Sequence, residues 1–297
     1  MRTGWRKYAL RPLEAALVGL GYGCFSILPL DAASGLGGWL AHTIGPRLKR
    51  SNVARRNLKR VFPEKPDSEI EEIVHGVWDN MGRVVGEFPR LDRLSPDLEK
   101  SRVEVIGGEY VDLLKNDGKP GIVFSGHIAN WEIICLAMSK QGLEVHQIYR
   151  SANNPLLEWA LRRGRSAIEG GKFPKGASGA KEAIAALRQG EHLGMVVDQK
   201  MNDGISVPFL GIEAMTAPGI AQFALKFDCP LVPARVERLN GARFRLTFYP
   251  PLEMPNTGNR NDDVEAIMGM VNDLIGEWIF QRPEQWLWLH NRWPEPS

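Results

Sequence analysis

The chain has 297 residues, 43% of them hydrophobic and 24% charged, with 37 basic and 35 acidic side chains for a net charge of +2. This balance excludes a disordered chain, a collagen, a disulfide-stapled miniprotein and a polytopic membrane protein, and the length suffices for one large core. Cys24, Cys135 and Cys229 stand far apart without a CxxC pair, which argues for a reducing compartment and against a disulfide framework or a cysteine zinc site.

Charge is unevenly spread. Residues 1–60 carry eleven Lys and Arg against only Glu14 and Asp31, while the remainder is acidic overall. Such a split points to a basic end meeting an anionic surface. From Ala15 to Leu30 run sixteen uncharged residues, preceded by Arg2, Arg6, Lys7 and Arg11. As a helix this segment reaches roughly 24 Å, short of the ~30 Å hydrocarbon core. A second uncharged stretch runs from Ala32 to Pro46, and seven cations follow between Arg47 and Arg60. Positive charge on both flanks favours a re-entrant or interfacial hairpin, with a single short span as the alternative. The continuation does not fit a secretory signal peptide. Residues 1–46 therefore read as an N-terminal apolar helical membrane anchor, and the basic cluster as a contact for anionic headgroups. The competing reading is a buried helical hairpin, and the Gly19/Gly23 pair suits either.

After a Pro-containing break at Phe62–Asp67, a helix is predicted from Ser68 to Gly86, capped by Asp67 or Ser68. Short apolar runs then appear at Val103–Ile106, Gly121–Ser125, Leu143–Tyr149, His192–Asp198, Leu231–Val236 and Phe244–Tyr249. Helical candidates separate most of them: Glu109–Lys115, Asn130–Gln141, Pro155–Arg165, Ser178–Gln189 and Thr216–Phe227, with a last helix at Asp262–Phe280. This alternation predicts an α/β fold, a mostly parallel central sheet flanked by helices. The expected division is an anchoring segment at 1–46 and a catalytic domain at 47–297, with a helical lead-in at 47–100 and an α/β core at 101–297.

In open α/β sheets, ligands sit beyond the carboxyl ends of strands. The run Gly121-Ile-Val-Phe-Ser-Gly-His127 is a strand ending in a glycine turn that presents a histidine, and Glu132 follows at the start of the next helix. On one continuous helix, five residues at ~100° each would set the two side chains about 140° apart. With His127 in the turn, the Glu132 carboxylate can fold back onto the imidazole and orient a general base. The bland alternatives are a turn histidine and a helix-dipole acid. Arg150 ends the next strand, Asp198 and Gln199 end the strand near 192–198, and Arg165 closes the helix near Pro155. Such convergence at one rim favours a site.

No GxSxG elbow, P-loop lysine, HExxH or dinucleotide fingerprint occurs, and the other histidines lack ligand spacing, so no metal is expected. The tail Trp286-Leu-Trp288-Leu-His290-Asn-Arg292-Trp293 reads either as a final strand packing its aromatics into the core or as an interfacial belt. Nucleic-acid stacking fits poorly, because the basic cluster lies elsewhere in the chain.

The segment Ser125-Gly-His127-Ile-Ala-Asn-Trp-Glu132 resembles the His-x4-acid signature of the glycerolipid acyltransferase superfamily, in the glutamate variant of the bacterial lipid A late acyltransferases. Arg55-Arg-Asn57-Leu58 with Phe62-Pro63-Glu64, Tyr149-Arg150 with Asn154-Pro155 and Arg165, Asp198-Gln199 with Val207-Pro208-Phe209-Leu-Gly211, and the tryptophan tail are similar to further blocks of that family, in order. Asn291 departs, standing where a basic residue is expected. The resemblance implies acyl transfer from an acyl carrier protein thioester, without other cofactor, to a hydroxyl of a lipid A precursor on the cytoplasmic face of the inner membrane. An alternative is another membrane glycolipid or phospholipid acceptor. It also implies His127 and Glu132 as the catalytic pair, with Arg165, Asp198, Arg150 and Gln199 in support. No nucleophilic Ser or Cys is evident, so direct transfer without an acyl-enzyme is expected.

Overall fold

A computed structural model describes the backbone of residues 3–149, 154 and 157–293, and side chains from residue 11 onward. Four helices lead: α1 (Thr3–Ile27), α2 (Leu30–Ile44), α3 (Ser51–Val61) and α4 (Asp67–Glu87). A 3-10 segment at Phe88–Leu94 connects them to the sheet. There follow β1 (Val103–Ile106), α5 (Gly108–Asn116), β2 (Ile122–Ser125), α6 (Glu132–Lys140), β3 (Val145–Tyr149), α7 (Glu158–Gly164), β4 (Lys172–Pro174), α8 (Ala177–Arg188) and β5 (His192–Val196). The chain continues through β6 (Lys200–Phe209), β7 (Ile212–Thr216), α9 (Gly219–Phe227), β8 (Leu231–Asn240), β9 (Arg243–Phe248) and α10 (Arg260–Gln281).

Seven strands form one sheet in the order β1-β9-β8-β2-β5-β3-β4, parallel throughout except where β8 meets β9. The predicted mixed α/β architecture is therefore present. β2 lies at the centre and is buried along its whole length, as a parallel strand covered on both faces must be, hence its unbroken Ile-Val-Phe run. β6 and β7 form a separate antiparallel hairpin, absent from the sequence reading. The register shifts between Lys200 and Ile205, and the regular pairing begins at Ile205. Pro66, not Asp67 or Ser68, occupies the cap position of α4 and offers no side-chain bond.

The N-terminal expectation is corrected. Among the described residues, no helix is long and apolar enough to cross a membrane, so the apolar helical anchor is not part of this fold. Pro12 and Glu14 lie in α1 ahead of the uncharged run, and the helix ends at Ile27, so Pro29 separates it from α2 within that run. Much of the second stretch is spent on packing. α2 lies along α4 through a seam of small residues, where a Cβ on Gly37 would come within 2.3 Å of the Gly82 carbonyl oxygen. The guanidinium of Arg90 caps the end of α1 by donating to the Ser26 and Leu28 carbonyls at 3.0 Å. Part of the basic cluster is paired within the chain: half-buried Arg55 forks onto Glu71 at 2.5 and 2.8 Å, and exposed Lys59 pairs with exposed Asp67.

The tryptophan tail is neither strand nor surface belt. Trp286, Trp288 and Trp293 are all buried, and the rings of Trp286 and Trp288 meet edge to face at 4.7 Å. Trp286 bridges antiparallel to Ile128. The tail thus closes the core directly behind the loop that follows β2.

Candidate active site

Residues 126–131, between β2 and α6, are held by the chain's last segment. His127 O accepts from Leu287 N–H at 3.2 Å, and Ala129 N–H donates to Gln285 O at 2.9 Å. Ala129 has φ of +49°, left-handed backbone that a side chain disfavours. Gly126 is tightly surrounded: a Cβ there would approach Ile275 at 3.1 Å and the Asp198 carboxylate at 3.4 Å.

The His127 imidazole meets Asp198. Nδ1 lies 2.6 Å from Oδ1, and the His127 backbone N–H donates to Oδ2 at 2.8 Å. The Trp286 indole N–H donates to the same Oδ2 at 2.6 Å. Burial alone would push the Asp198 carboxyl up, but the neighbouring His127 imidazole and these hydrogen bonds outweigh it and hold the group well below the ordinary carboxylate range. Asp198 accepts at this oxygen, so in the neutral tautomer that fits the bond Nδ1 carries the proton and the lone pair is on Nε2. Nε2 looks towards the Gln199 amide, 3.4 Å away. The imidazole side chain retains 18% exposure while Asp198 retains 1%.

Glu132 does not turn back onto His127. Its carboxylate takes a two-point fork from Arg165, Nε to Oε2 at 2.7 Å and NH2 to Oε1 at 2.5 Å. Burial would lower the Arg165 guanidinium's pKa, but the Glu132 bonds and charge raise it above its usual value. The guanidinium also sits over the rings of Tyr149, at 5.5 Å, and Phe88, at 5.9 Å. The expected pairing of His127 with Glu132 thus gives way to two pairs. Glu132 opens α6 and faces the residue after α7, whereas His127 lies beside the end of β5.

His127, Trp131, Glu132, Tyr149, Arg165 and Gln199 line one cavity of about 320 Å³, with Ile134, Ile148, Met195 and Ile220 supplying apolar wall. Cys135 also lines it, but burial pushes its thiol up to about 11, leaving it protonated and a poor nucleophile near neutral pH. Among the described residues, no group of three His, Cys, Asp or Glu side chains is placed to hold a metal ion. Of the predicted site residues, His127, Glu132, Arg165 and Gln199 line this cavity and Asp198 is bonded to His127, while Arg150 lies outside the described residues. The bond from Trp286 to Asp198 was missed, since nothing in the tail's spacing marks one indole as a donor. Asn291 accepts from Arg56 at 2.7 Å.

The family described as bacterial lipid A biosynthesis acyltransferase matches residues 6–295. A lipid A biosynthesis lauroyltransferase of Escherichia coli (strain K12) is 29% identical over 252 residues, covering 82% of this chain and 79% of that protein. A lipid A biosynthesis palmitoleoyltransferase of the same strain is 26% identical over 276 residues, 89% of this chain and 86% of that one. A lipid A biosynthesis acyltransferase of Haemophilus influenzae is 24% identical over 271 residues, with 89% and 82% covered.

Proposed function

Because this chain belongs to the bacterial lipid A biosynthesis acyltransferase family, we propose that it moves a fatty acyl group from an acyl carrier protein thioester to a hydroxyl of a lipid A precursor, with His127 as general base. Acyl transfer in lipid A biosynthesis is the family's chemistry; the donor, the mechanism and the roles of residues are this proposal. The observation that carries it is the His127–Asp198 pair, whose basic Nε2 opens into an apolar-walled cavity that also holds the Glu132–Arg165 fork.

A sugar or acyl-chain hydroxyl is too weak an acid to attack a thioester unaided. Nε2 of His127 removes its proton as the oxygen bonds to the thioester carbon, and the Asp198 anion stabilises the imidazolium formed. The tetrahedral oxyanion needs donors already in place. Arg165 uses Nε and one terminal nitrogen on Glu132, which leaves guanidinium N–H groups to face it. Collapse breaks the carbon–sulfur bond, and the imidazolium returns its proton to the departing thiolate. Ester and thiol are the products, and no acyl-enzyme forms. The raised Cys135 thiol supports direct transfer. Glu132 acts through Arg165, holding the guanidinium in register.

The acceptor is an amphiphile, and the proposal sets the reaction at the anionic surface of the inner membrane, on its cytoplasmic side. Lys49 and Arg50, exposed in the basic cluster that follows α2, suit contact with anionic headgroups. The test incubates the purified chain with a lipid A precursor and a panel of acyl carrier protein thioesters, reading products by mass. The expected result is a gain of one acyl chain, lost in His127→Ala. Precursor unchanged by every thioester overturns the proposal.

A further inference from the structure

Behind the cavity lies a second buried network that touches neither the His127–Asp198 pair nor the Glu132–Arg165 fork. Glu87, the last residue of α4, is fully buried. It accepts from Ser34 Oγ at 2.7 Å and from Arg238 of β8 at 2.5 and 3.1 Å. Its remaining contact is with the loop after β2: Asn130 Nδ2 donates to Glu87 Oε2 at 2.9 Å. Arg238 Nε donates to Asn80 Oδ1 at 2.9 Å, and Asn80 Nδ2 reaches the carbonyl oxygens of both Ala129 and Gln285 at 3.3 Å. Gln285 closes the network, exchanging side-chain bonds with the backbone N–H and carbonyl of Arg238 at 2.9 Å.

A buried guanidinium–carboxylate pair is a weak source of net stability, because desolvation offsets most of the attraction. What such a pair supplies is fixed donors and acceptors. Here they are handed to a loop whose geometry needs them. Ala129 holds a left-handed backbone, a conformation that persists only where the surroundings over-determine it. Three polar side chains, two on the loop and one opening α6, are each tied to a different element. His127 goes to Asp198 beyond β5, Asn130 to Glu87 on α4, and Glu132 to Arg165 beyond α7. Loosening the middle tie lets the outer two drift independently, since only six positions span them.

We infer that Asn130 and Asn80, mounted on the buried Glu87–Arg238 pair, are positioning residues that hold the left-handed turn at Ala129, so that His127 faces Asp198 while Glu132 faces Arg165. This rests on the reading of His127 as the general base. Neither asparagine touches reacting atoms, so the loss is in alignment rather than in binding. The test compares Asn130→Ala and Asn80→Ala with the parent chain in the acyl-transfer assay, and follows amide hydrogen exchange across residues 126–132 in the full chain. A misplacement on the order of 1 Å costs as much as ~100-fold in rate. The expected result is a kcat lower by about 10- to 100-fold with KM within about twofold, and faster exchange confined to 126–132. Parent-like kcat together with parent-like exchange overturns the inference, as does a rise in KM alone. Should Asn130→Ala fail to fold, Asn80→Ala carries the same expectation. Should the parent transfer no acyl group, the functional reading falls, and the exchange measurement still decides whether these asparagines hold the turn.

Discussion

Ser125 of β2 and Val196 of β5 face each other across a parallel ladder, and two residues beyond each of them His127 and Asp198 meet at 2.6 Å. The dyad is thus a product of sheet register: two chains leaving adjacent parallel strands in step bring their second residues together. Asp198→Asn keeps the shape and removes the anion that fixes the Nδ1–H tautomer. In other His–Asp systems the same change costs on the order of 10⁴ in kcat with the geometry intact. A loss of comparable size with little change in KM is expected in steady-state acyl transfer. Retention of more than about a tenth of parental kcat would show that Asp198 does not support the base.

Stability should carry the same signature. The folded-state pKa of Asp198 lies below its unfolded value of about 3.9, so folding favours the ionised form. That contribution is fully present above about pH 4 and is lost as pH falls below it towards the folded pKa. Asp198→Asn has no such term. The gap in unfolding free energy between parent and variant, read from urea titrations between about pH 7 and pH 3, therefore narrows below about pH 4. A gap that widens there contradicts the assignment.

The second pair tests differently. Arg165→Met leaves the Glu132 carboxylate buried without its fork, a change that costs about 3–5 kcal/mol for buried pairs. Glu132→Gln with Arg165→Met removes both charges and is expected to recover most of that loss, because the penalty belongs to the stranded charge. Denaturant midpoints of the single and double variants decide it: equal losses would place the effect in packing against Tyr149 and Phe88 instead. Both variants are expected to transfer acyl groups poorly, since the double variant regains stability without the guanidinium.

How far this was legible in the sequence follows from range. Local patterns carried well. The Ile-Val-Phe run before Ser125 marks a buried strand, and a histidine two residues past its end marks a rim position. The partner of that histidine was not legible, because it depends on β5, not β3, lying next to β2. Glu132 is near in sequence, Asp198 is near in space. The network around Glu87 was hidden for the same reason, since Asn80, Glu87, Asn130 and Arg238 come from three separate elements. At the N-terminus the difficulty was of another kind: uncharged, small-residue helices look alike whether they face lipid or each other.

That last ambiguity has a sharp test. A Cβ on Gly37 would stand 2.3 Å from the Gly82 carbonyl oxygen, and one on Gly82 would stand 2.1 Å from the Gly37 carbonyl oxygen, both backbone atoms that cannot step aside alone. Gly23, in α1, has nothing within 4 Å of the same position. Gly37→Ala and Gly82→Ala must part α2 from α4 and are expected to cost at least about 1–3 kcal/mol, the usual range for overpacking. Gly23→Ala gains helix propensity at an exposed site and is expected to be neutral or to stabilise by up to about 1 kcal/mol. Thermal unfolding of the three variants reads the order directly. Were Gly23→Ala the damaging change and Gly37→Ala silent, the close approach would belong to α1, and the assignment of the second uncharged stretch to an internal seam would be wrong.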